Sequence, residues 1–139
     1  MANSNEQRIR IANEELLAKG NLDVVDETFA AGYVVHAGGK DHHGLDFVRR
    51  FVKQLRAAIA DLRVVEIAIL SEASDVIVWQ RTLSGTHQGT LGGIPPSAQK
   101  VRWRDMVVSR FDGDEIAEEW TVSELAGELL LHCGTPNLM

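Results

Sequence analysis

Cysteine is almost absent from this chain of 139 residues, because Cys133 is its one thiol. A single thiol cannot form a disulfide within the chain, and it cannot supply the several thiolates of a structural zinc site. The sequence therefore excludes a small scaffold that is held together by disulfides. A chain of this length buries roughly two thirds of its unfolded surface, which is enough to form an apolar core without such cross-links.

Long apolar runs are also missing, since no stretch approaches the roughly 18 residues that a membrane span requires. The first ten residues, MANSNEQRIR, lack the apolar centre of a signal peptide. We therefore expect a cytoplasmic protein with no membrane partner. The composition is 45% hydrophobic and 24% charged, and no Pro-rich linker or repeat is present, so the sequence predicts one globular domain over residues 1–139.

Basic residues are missing from the last part of the chain. Residues 111–139 contain no Lys or Arg but seven acidic side chains, whereas residues 1–110 carry 14 basic and 13 acidic groups. An acidic end repels phosphate backbones, so the charge pattern predicts no nucleic-acid partner.

Apolar residues recur at helical spacing in the first 60 residues and predict three helices. The first spans residues 4–20, and the second begins at the capping residue Asn21 and ends at Gly32. Residues 33–36 are expected to form a short extended piece. One face of the third helix carries Val48, Phe51, Val52, Leu55 and Ile59.

From Arg63 onward the period of the apolar residues changes to about two, and β-branched residues become frequent. This pattern predicts a long loop over residues 88–98 and four antiparallel strands near residues 63–70, 75–87, 99–111 and 115–122. A last short helix is predicted to carry Leu125, Leu129 and Leu130. The sequence thus predicts an α+β fold in which helices lie on one face of a curved antiparallel sheet.

Several segments resemble a known family. The segment GTHQGTLGGIPPSAQKVRWRDMVVSRFDGDEIAEEW, residues 85–120, is similar to the SnoaL-like polyketide cyclases. In that family a G-T-H-x-G loop and an I-P-P turn precede a strand, a D-G hairpin and a final E-x-W strand. Upstream, YVVHAGG at residues 33–39 and FVRRFVKQLRAAIADLRVVEIAIL at residues 47–70 resemble the same family.

The resemblance implies a cone-shaped α+β barrel, the fold shared with nuclear transport factor, ketosteroid isomerases, scytalone dehydratase and limonene epoxide hydrolases. In that cystatin-like fold a strongly curved, mostly antiparallel sheet and three N-terminal helices enclose a deep pocket, and the protein usually pairs through its sheet into a homodimer. The fold hosts enzymes of several classes as well as binding proteins, so it does not define a reaction.

One carboxylate is predicted to lie inside such a pocket. Arg102, Arg104 and Arg110 occupy even positions of the third long strand and belong in water, so strand alternation turns Trp103 and Asp105 inward. A carboxylate among apolar residues has a raised pKa unless a cation or donor pairs with it, and such a group serves as a general acid or base. The alternatives are a structural pair with an arginine and a bulge.

Arg81 on the neighbouring strand is the expected partner of Asp105. It shares a parity with Ile77, Trp79 and Leu83, so it is predicted to lie among apolar neighbours. There it would hold Asp105 ionised or polarise a substrate oxygen. An arginine on the dimer face of the sheet is the alternative, because a bulge exchanges the two faces of a strand.

The last strand departs from the family pattern. Many cyclase-type members carry, directly after the tryptophan, an aspartate that shuttles the proton during ring closure, whereas here Trp120 is followed by Thr121. A threonine hydroxyl has no pKa near neutrality and cannot replace a carboxylate as proton acceptor. Glu119, on the same face as Thr121, and Asp105, across the sheet, are the candidate replacements. A solvated edge residue is the alternative for Glu119.

Other residues are expected to contact the substrate. His36 lies where the family often has a histidine at the pocket rim, and it is a candidate base or donor to a carbonyl, with a structural histidine as the alternative. His87 either fixes the G-T-H-Q-G loop or lines the mouth. Glu118 is expected to share a face with Ile116. The predicted substrate contacts are Tyr33, Trp79, Trp103, Trp120, Thr121 and His87.

No metal or nucleotide cofactor is expected. Asp41, His42 and His43 are adjacent, but neighbouring histidines on a loop rarely converge on one ion, and no third histidine follows at i+3 or i+4. The glycines of residues 85–93 fit no phosphate-binding pattern.

Three functions remain open. The first is a cofactor-independent enzyme of the cyclase, isomerase or lyase type that acts on a small apolar carbonyl or polycyclic substrate. Its candidate catalytic residues are Asp105, Arg81, His36 and Glu119. The second is a hydrolase that adds water to an epoxide oriented by Arg81. The third is a binding module without turnover, which the missing aspartate at Thr121 favours.

Overall fold

The computed structural model describes residues 4–132. Within this range four α-helices lie against one six-stranded sheet. Cys133 lies outside the described residues. No helix in residues 4–132 is long and apolar enough to cross a membrane.

The N-terminal helical region is interrupted twice. Helix α1, Ser4–Ile11, continues as a π-helical segment, Ala12–Ala18. A 3-10 turn, Leu22–Val24, then leads into α2, Val25–Thr28. The side chain of Asn21 caps this turn, as predicted, by accepting a hydrogen bond from the Asp23 N–H at 3.2 Å.

Two further helices pack over the sheet. Helix α3, Leu45–Ala58, is amphipathic and buries Val48, Val52, Leu55 and Ala58. Helix α4, Leu125–His132, follows the last strand, and the Ser123 hydroxyl accepts a hydrogen bond from the Leu125 N–H at 3.1 Å at its start. Both positions agree with the sequence prediction.

The sheet has the strand order β2-β1-β6-β5-β4-β3. Its strands are β1 (Phe29–Ala37), β2 (Lys40–His43), β3 (Arg63–Glu72), β4 (Val76–Thr86), β5 (Lys100–Asp112) and β6 (Glu115–Ser123). Strands β3 to β6 form an antiparallel meander, which confirms the four predicted strands, whereas β1 pairs with β6 in parallel. The α+β class is confirmed.

Two details of the expected fold are corrected. The sheet is open, since β2 and β3 are its two edges and do not pair, so it is a curved sheet and not a closed barrel. The second helix ends at Thr28, and β1 begins at Phe29, where a helix to Gly32 was expected. Pairing of Phe29 with Ile116 of β6 outweighs the local helical spacing.

The core lies between the inner face of the sheet and the helices. Alternation along β5 is regular, and the inward side chains are Val101, Trp103, Asp105, Val107, Ser109 and Phe111. On β4 Leu83 is buried, and the small Gly85 lies against Ile59 at the end of α3. The loop after β4 is fixed to the same helix end, because the N–H groups of Gln88 and Gly89 donate to the Ala58 carbonyl at 2.8 and 3.1 Å.

The contact between Gly85 and α3 predicts a site where added volume is not tolerated. A Cβ at position 85 would overlap Cγ2 of the buried Ile59 and lie 3.1 Å from Oδ1 of Asp61. We expect Gly85→Ala to lower the free energy of unfolding by about 1–3 kcal/mol, the usual cost of overpacking a core. Urea denaturation measures this. Gly32→Ala is the control, since a Cβ there meets nothing within 4 Å, and equal stability of the two variants would contradict the prediction.

Candidate active site

A cavity of about 850 Å³ lies between the sheet and the helices. Strands β1, β4, β5 and β6 form its floor, and the π-helical segment, α3 and α4 form its walls. Most of the lining side chains are apolar, among them Leu16, Phe47, Val52, Trp103 and Leu129. Sites that hold drug-sized ligands have volumes of roughly 300–1,000 Å³ and similar apolar walls, so the cavity has the size of a small-molecule site.

The register of the sheet places the polar groups of its inner face in three adjacent rows, and most members of these rows line the cavity. From β4 toward β1, the rows are Ile77, Ser109, Glu119 and Val35; then Trp79, Val107, Thr121 and Ala37; then Arg81, Asp105 and Ser123. Glu119 therefore lies beside Ser109, and Asp105 lies beside Arg81. The floor has two polar ends, with the row of Trp79 and Thr121 between them.

Glu119 is a polar group of the floor whose two carboxylate oxygens each accept a hydrogen bond. Its side chain is buried, with the residue 9% exposed, and it accepts two hydrogen bonds. The Tyr33 hydroxyl donates to Oε1 at 2.6 Å, and the Ser109 hydroxyl donates to Oε2 at 2.5 Å. The indole N–H of Trp79 in turn donates to Ser109 Oγ at 2.9 Å. A buried carboxylate with these donors is the opposite of the solvated edge residue that was the alternative.

Burial changes the acidity of this group. Loss of solvation raises the pKa of Glu119, while the hydrogen bonds from Ser109 and Tyr33 and the charge of Arg81 act in the opposite direction. Burial, together with the neighbouring Glu119 carboxylate, raises the pKa of Tyr33 well above its ordinary value. Tyr33 thus stays a protonated donor, and Glu119 exchanges its proton closer to neutral pH than an exposed glutamate does.

Arg81 forms the other polar end. Its Nε–H donates to Asp105 Oδ2 at 2.8 Å, and its Nη1–H donates to Asn13 Oδ1 at 2.9 Å. The guanidinium also lies over the Trp79 ring, 5.4 Å from the ring centroid. Asn13 is fixed in turn, because its Nδ2–H donates to the Ile9 carbonyl at 2.8 Å. These contacts hold the cation in one orientation at the cavity floor.

Asp105 is buried, with 4% of its surface exposed, as strand alternation predicted. It takes the arginine-paired arrangement, since one of its oxygens, Oδ2, contacts Arg81. The other oxygen, Oδ1, has no hydrogen-bond partner among residues 4–132. The bond to Arg81 is therefore what links the Asp105 carboxylate to the rest of the polar floor.

Seven of the residues expected to form the site line this one cavity. They are Asp105, Arg81, Glu119, Tyr33, Trp79, Trp103 and Thr121. Thr121 lies opposite Val107, in the row between the two polar ends. The sequence therefore identified most of the floor of the cavity.

His36 and Trp120 lie on the outer face of the sheet. They pair across β1 and β6, and their rings stack with centroids 5.2 Å apart. Trp120 is 41% exposed, and neither residue lines the cavity. The predictions that His36 lies at the pocket rim and that Trp120 contacts the substrate are therefore wrong. Side chains alternate along a strand, so Tyr33 pointing inward turns His36 outward, and Glu119 pointing inward turns Trp120 outward.

A bulge exchanges the faces of β6 near its start. Phe111 pairs with Ile116, but Arg110 pairs with Glu118, so one extra residue lies between the two pairs. Ile116 and Glu119 therefore both point inward. The expectation that Ile116 and Glu118 share a face is wrong for this reason.

His87 is fully buried but does not line the cavity, which corrects its expected contact with the substrate. Its backbone N–H donates to the Gln99 carbonyl at 3.0 Å, and its own carbonyl accepts from the Ala98 N–H at 2.9 Å. These bonds close the base of the loop. Of the two alternatives for His87, the structure supports fixing the loop.

Asp41, His42 and His43 do not converge. Asp41 contacts His36, and His42 stacks on Phe47 with ring centroids 4.3 Å apart. Within residues 4–132 no three His, Cys, Asp or Glu side chains are close enough together to hold a metal ion.

Sequence reasoning missed two polar members of the site, Ser109 and Asn13. Ser109 shares the inward parity of Asp105, so the alternation of β5 already contained the signal. Asn13 lies between the apolar Ile9 and Leu16 and is buried with them in the helical region. A polar residue inside a buried helical stripe is the signal that would have found it.

The family of the chain follows from a comparison with protein-family models. The model of the SnoaL-like polyketide cyclases matches residues 7–130, which is nearly the whole chain. The chain therefore belongs to the SnoaL-like polyketide cyclase family. Among curated proteins, none matches the chain.

Solved structures share the fold. A protein from Jannaschia sp. CCS1 assigned to the SnoaL-like polyketide cyclases aligns with a TM-score of 0.83 at 22% identity, over 96% of this chain and 94% of that one. A proposed polyketide cyclase from Acidithiobacillus ferrooxidans gives 0.82 at 22% identity, over 95% and 96%. AclR, a proposed hydroxylase from Streptomyces galilaeus, gives 0.73 at 22% identity, over 95% and 98%. At this identity the likeness shows the fold alone.

The outer-face position of His36 generates a prediction for stability. Its Nε2 lies 2.6 Å from Glu118 Oε2 and its Nδ1 lies 2.6 Å from Asp41 Oδ1, and these bonds raise the pKa of His36 above 6.5. A raised pKa means that the folded state favours the protonated imidazole. The stabilisation is complete below pH 6.5 and is lost as the pH rises through the raised value.

We therefore expect His36→Gln to destabilise the fold most near pH 5.5 and progressively less toward pH 8.5. The bond to His36 lowers the pKa of Glu118, so that carboxylate remains ionised over this range. Urea denaturation across the range measures the difference from the wild type. The matched control is His43→Gln on β2, an exposed histidine, for which no such trend is expected. A pH-independent effect of His36→Gln would contradict the assignment.

Proposed function

We propose that this chain is a cofactor-independent acid/base enzyme that moves a proton on a small, mostly apolar carbonyl or polycyclic compound, as a cyclase, isomerase or lyase does. The observation that carries the proposal is Glu119, a buried carboxylate with a raised pKa on the floor of a mostly apolar cavity. Membership in the polyketide cyclase family supports it. An acid/base group works best when its pKa is near the operating pH, and burial moves Glu119 in that direction.

Glu119 takes over the task of the aspartate that the family pattern has at Thr121. Both side chains point from β6 into the same cavity, two residues apart along the strand. In the ionised form Glu119 accepts a proton from a carbon next to a substrate carbonyl, and the electron pair of the broken C–H bond moves to the carbonyl oxygen. Return of the proton to another carbon of the substrate completes an isomerisation. In a ring closure the enolate carbon first bonds to a second carbonyl carbon of the substrate, whose π electrons move to its oxygen, and the proton then returns to that oxygen.

Arg81 stabilises the oxygen that becomes negative in this step. It is the cation of the cavity floor, and the surrounding side chains are largely apolar, so its attraction for an anionic oxygen is screened less than in water. Asp105 and Asn13 hold its Nε and Nη1 atoms and fix its direction. We assign Asp105 a positioning role, because its contact is with Arg81.

A hydrolase is the second candidate, and the pair of Tyr33 and Glu119 favours it. A carboxylate and a hydroxyl 2.6 Å apart can also hold a water molecule and activate it toward an epoxide, with Arg81 orienting the electrophile. Enzyme-dependent formation of labelled diol from styrene oxide in ¹⁸O-labelled water distinguishes the two candidates, since only a hydrolase adds water to the epoxide. A protein that binds such compounds with no turnover of either kind would be the third candidate, a binding module.

The acid/base proposal predicts proton exchange on a simple ketone. The probe is 2-tetralone, an apolar bicyclic ketone, and deuterium incorporation next to its carbonyl in D₂O is followed by NMR. We expect Glu119→Gln to lower the enzyme-dependent exchange by roughly 10²-fold or more, because the amide cannot accept the proton. Binding of the ketone, measured by quenching of tryptophan fluorescence, should remain.

The control for this experiment is the adjacent Glu118→Gln. Glu118 contacts His36 and Arg110 and does not line the cavity, so its variant should exchange deuterium at the wild-type rate. Wild-type exchange by Glu119→Gln would refute the proposed role of Glu119. Equal losses in both variants would point to a general effect on the fold.

We also propose a homodimer that forms through the outer face of the sheet. Apolar side chains occupy two neighbouring rows of this face, one formed by Val78, Val108 and Trp120 and the other by Met106 and Val122 beside Gln80. Met106 is 40% exposed and Val122 is 73% exposed. A connected apolar patch of this kind on a sheet is typical of a protein interface.

The dimer proposal predicts the effect of a charge in the centre of this patch. We expect Met106→Asp to weaken the dimer roughly tenfold or more, whereas Met106→Leu keeps the apolar surface and the wild-type association. Sedimentation velocity at micromolar concentration measures the mass. A monomeric wild-type protein under these conditions would contradict the proposal.

A further inference from the structure

The hydrogen bonds around Glu119 have directions that their donors fix. An indole N–H can only donate, so Trp79 Nε1–H, 2.9 Å from Ser109 Oγ, makes that oxygen an acceptor. The hydroxyl hydrogen of Ser109 then has one acceptor among residues 4–132, namely Glu119 Oε2 at 2.5 Å. Since Ser109 is fully buried, turning this hydrogen elsewhere would leave it without a partner.

The two oxygens of Glu119 are therefore not equivalent. Oε2 faces a hydroxyl whose hydrogen already points at it, so a proton on Oε2 would compete with that hydrogen. Oε1 faces the Tyr33 hydroxyl at 2.6 Å, and a hydroxyl can donate or accept. The bond between Oε1 and Tyr33 can reverse, whereas the bond between Oε2 and Ser109 cannot reverse without breaking a hydrogen bond.

We propose that Trp79, acting through Ser109, is a positioning residue that assigns the exchangeable proton of Glu119 to Oε1, the oxygen that Tyr33 contacts. This inference rests on the acid/base function proposed above for Glu119. It gives Tyr33 a defined task in that function. Trp79 was expected to contact the substrate, and the hydrogen bond from its indole N–H to Ser109 gives it a second role.

Every proton in this step is accounted for. When Glu119 takes a proton from the substrate carbon, Oε1 becomes an O–H group that donates to the Tyr33 oxygen. The Tyr33 hydrogen is then free to turn into the cavity, which Tyr33 and Arg81 both line, and to donate to the same substrate oxygen that Arg81 attracts. One C–H bond breaks and one O–H bond forms, and no other reactant is needed.

The test is a titration of Glu119, which needs no substrate. Carboxyl ¹³C NMR of the ¹³C-glutamate-labelled full chain follows the group, and Glu119→Gln identifies its resonance. We expect Trp79→Phe to raise the pKa of Glu119 by about 1 pH unit, because the Ser109 hydroxyl is then free to accept from a proton on Oε2. Ser109→Ala should raise the pKa at least as much, since it removes the donor itself.

The double variant Trp79→Phe/Ser109→Ala shows whether Trp79 acts through Ser109. If Trp79 acts through Ser109, the pKa of Glu119 in Trp79→Phe/Ser109→Ala equals that in Ser109→Ala alone. Tyr33→Phe acts on the other oxygen, so its effect should add to that of Trp79→Phe. An unchanged pKa in Trp79→Phe, or additive shifts in the variant that lacks both Trp79 and Ser109, would overturn the inference.

Two points keep the result interpretable. If Trp79→Phe does not fold, as seen in its ¹H–¹⁵N spectrum, Ser109→Ala still tests the donor at Oε2, and a pKa no higher than in the wild type would overturn the inference. Failure of the proposed function has a different signature, because Glu119→Gln would then still exchange deuterium into 2-tetralone. The titration reports on the hydrogen-bond directions whether or not that ketone is turned over.

Discussion

The arrangement at the centre of this structure depends on one constraint, namely that a buried carboxylate needs hydrogen-bond donors in place of water. A buried ionisable group is tolerated only where hydrogen bonds replace its lost solvation. Glu119 meets this condition because β1 brings Tyr33 to one oxygen and β5 brings Ser109 to the other. The donors come from the strands on both sides of β6. The register of the sheet therefore brings the carboxylate and its two donors together, and no local sequence motif does so. A shift of one residue in either pairing would turn the carboxylate or its donor to the opposite face.

The same sheet separates two kinds of electrostatic environment inside one cavity. At one end the carboxylate of Glu119 is held only by neutral donors, which lets burial raise its pKa. At the other end the charge of Asp105 is matched by Arg81 at 2.8 Å. The row of Trp79 and Thr121 lies between the two ends. A proton-transfer group and a fixed cation can therefore coexist without forming a pair that would cancel both.

The sequence predicts the parts of this site that depend on strand alternation. The parities of β4 and β5 are enough to place Arg81 and Asp105 on the inner face, and the predicted bounds of the four meander strands agree with the structure to within about two residues. The position of Ile116 relative to Glu118 could not be predicted in this way. For His36, alternation predicts only that it faces away from Tyr33, and it does not say which of the two side chains is inside. His36 lies on a strand whose parallel pairing with β6 is a long-range event, and Ile116 lies beside a bulge that no residue in the sequence signals.

The identity of the hydrogen-bond partners was also beyond the sequence. Ser109 had the right parity, but a serine on a strand carries no sign that an indole from one side and a carboxylate from the other will meet at its oxygen. The extent of the second helix was misjudged because Phe29 fits a helical face and a strand equally well, and its pairing with Ile116 decided between them. The local pattern of residues thus predicts which face of a strand a side chain occupies. Its hydrogen-bond partners depend on contacts between segments that are distant in the sequence.

The π-helical segment at Ala12–Ala18 links the beginning of the chain to this chemistry. Asn13 is anchored backward to Ile9 and reaches forward to Arg81, 68 residues away in the sequence. The π-helical turns therefore cover the core and also hold Arg81 in place through Asn13. The length of the opening helix would then be constrained in evolution. Inserting or deleting one residue there would rotate Asn13 away from Arg81 and change the cavity, although every residue of the sheet stayed the same.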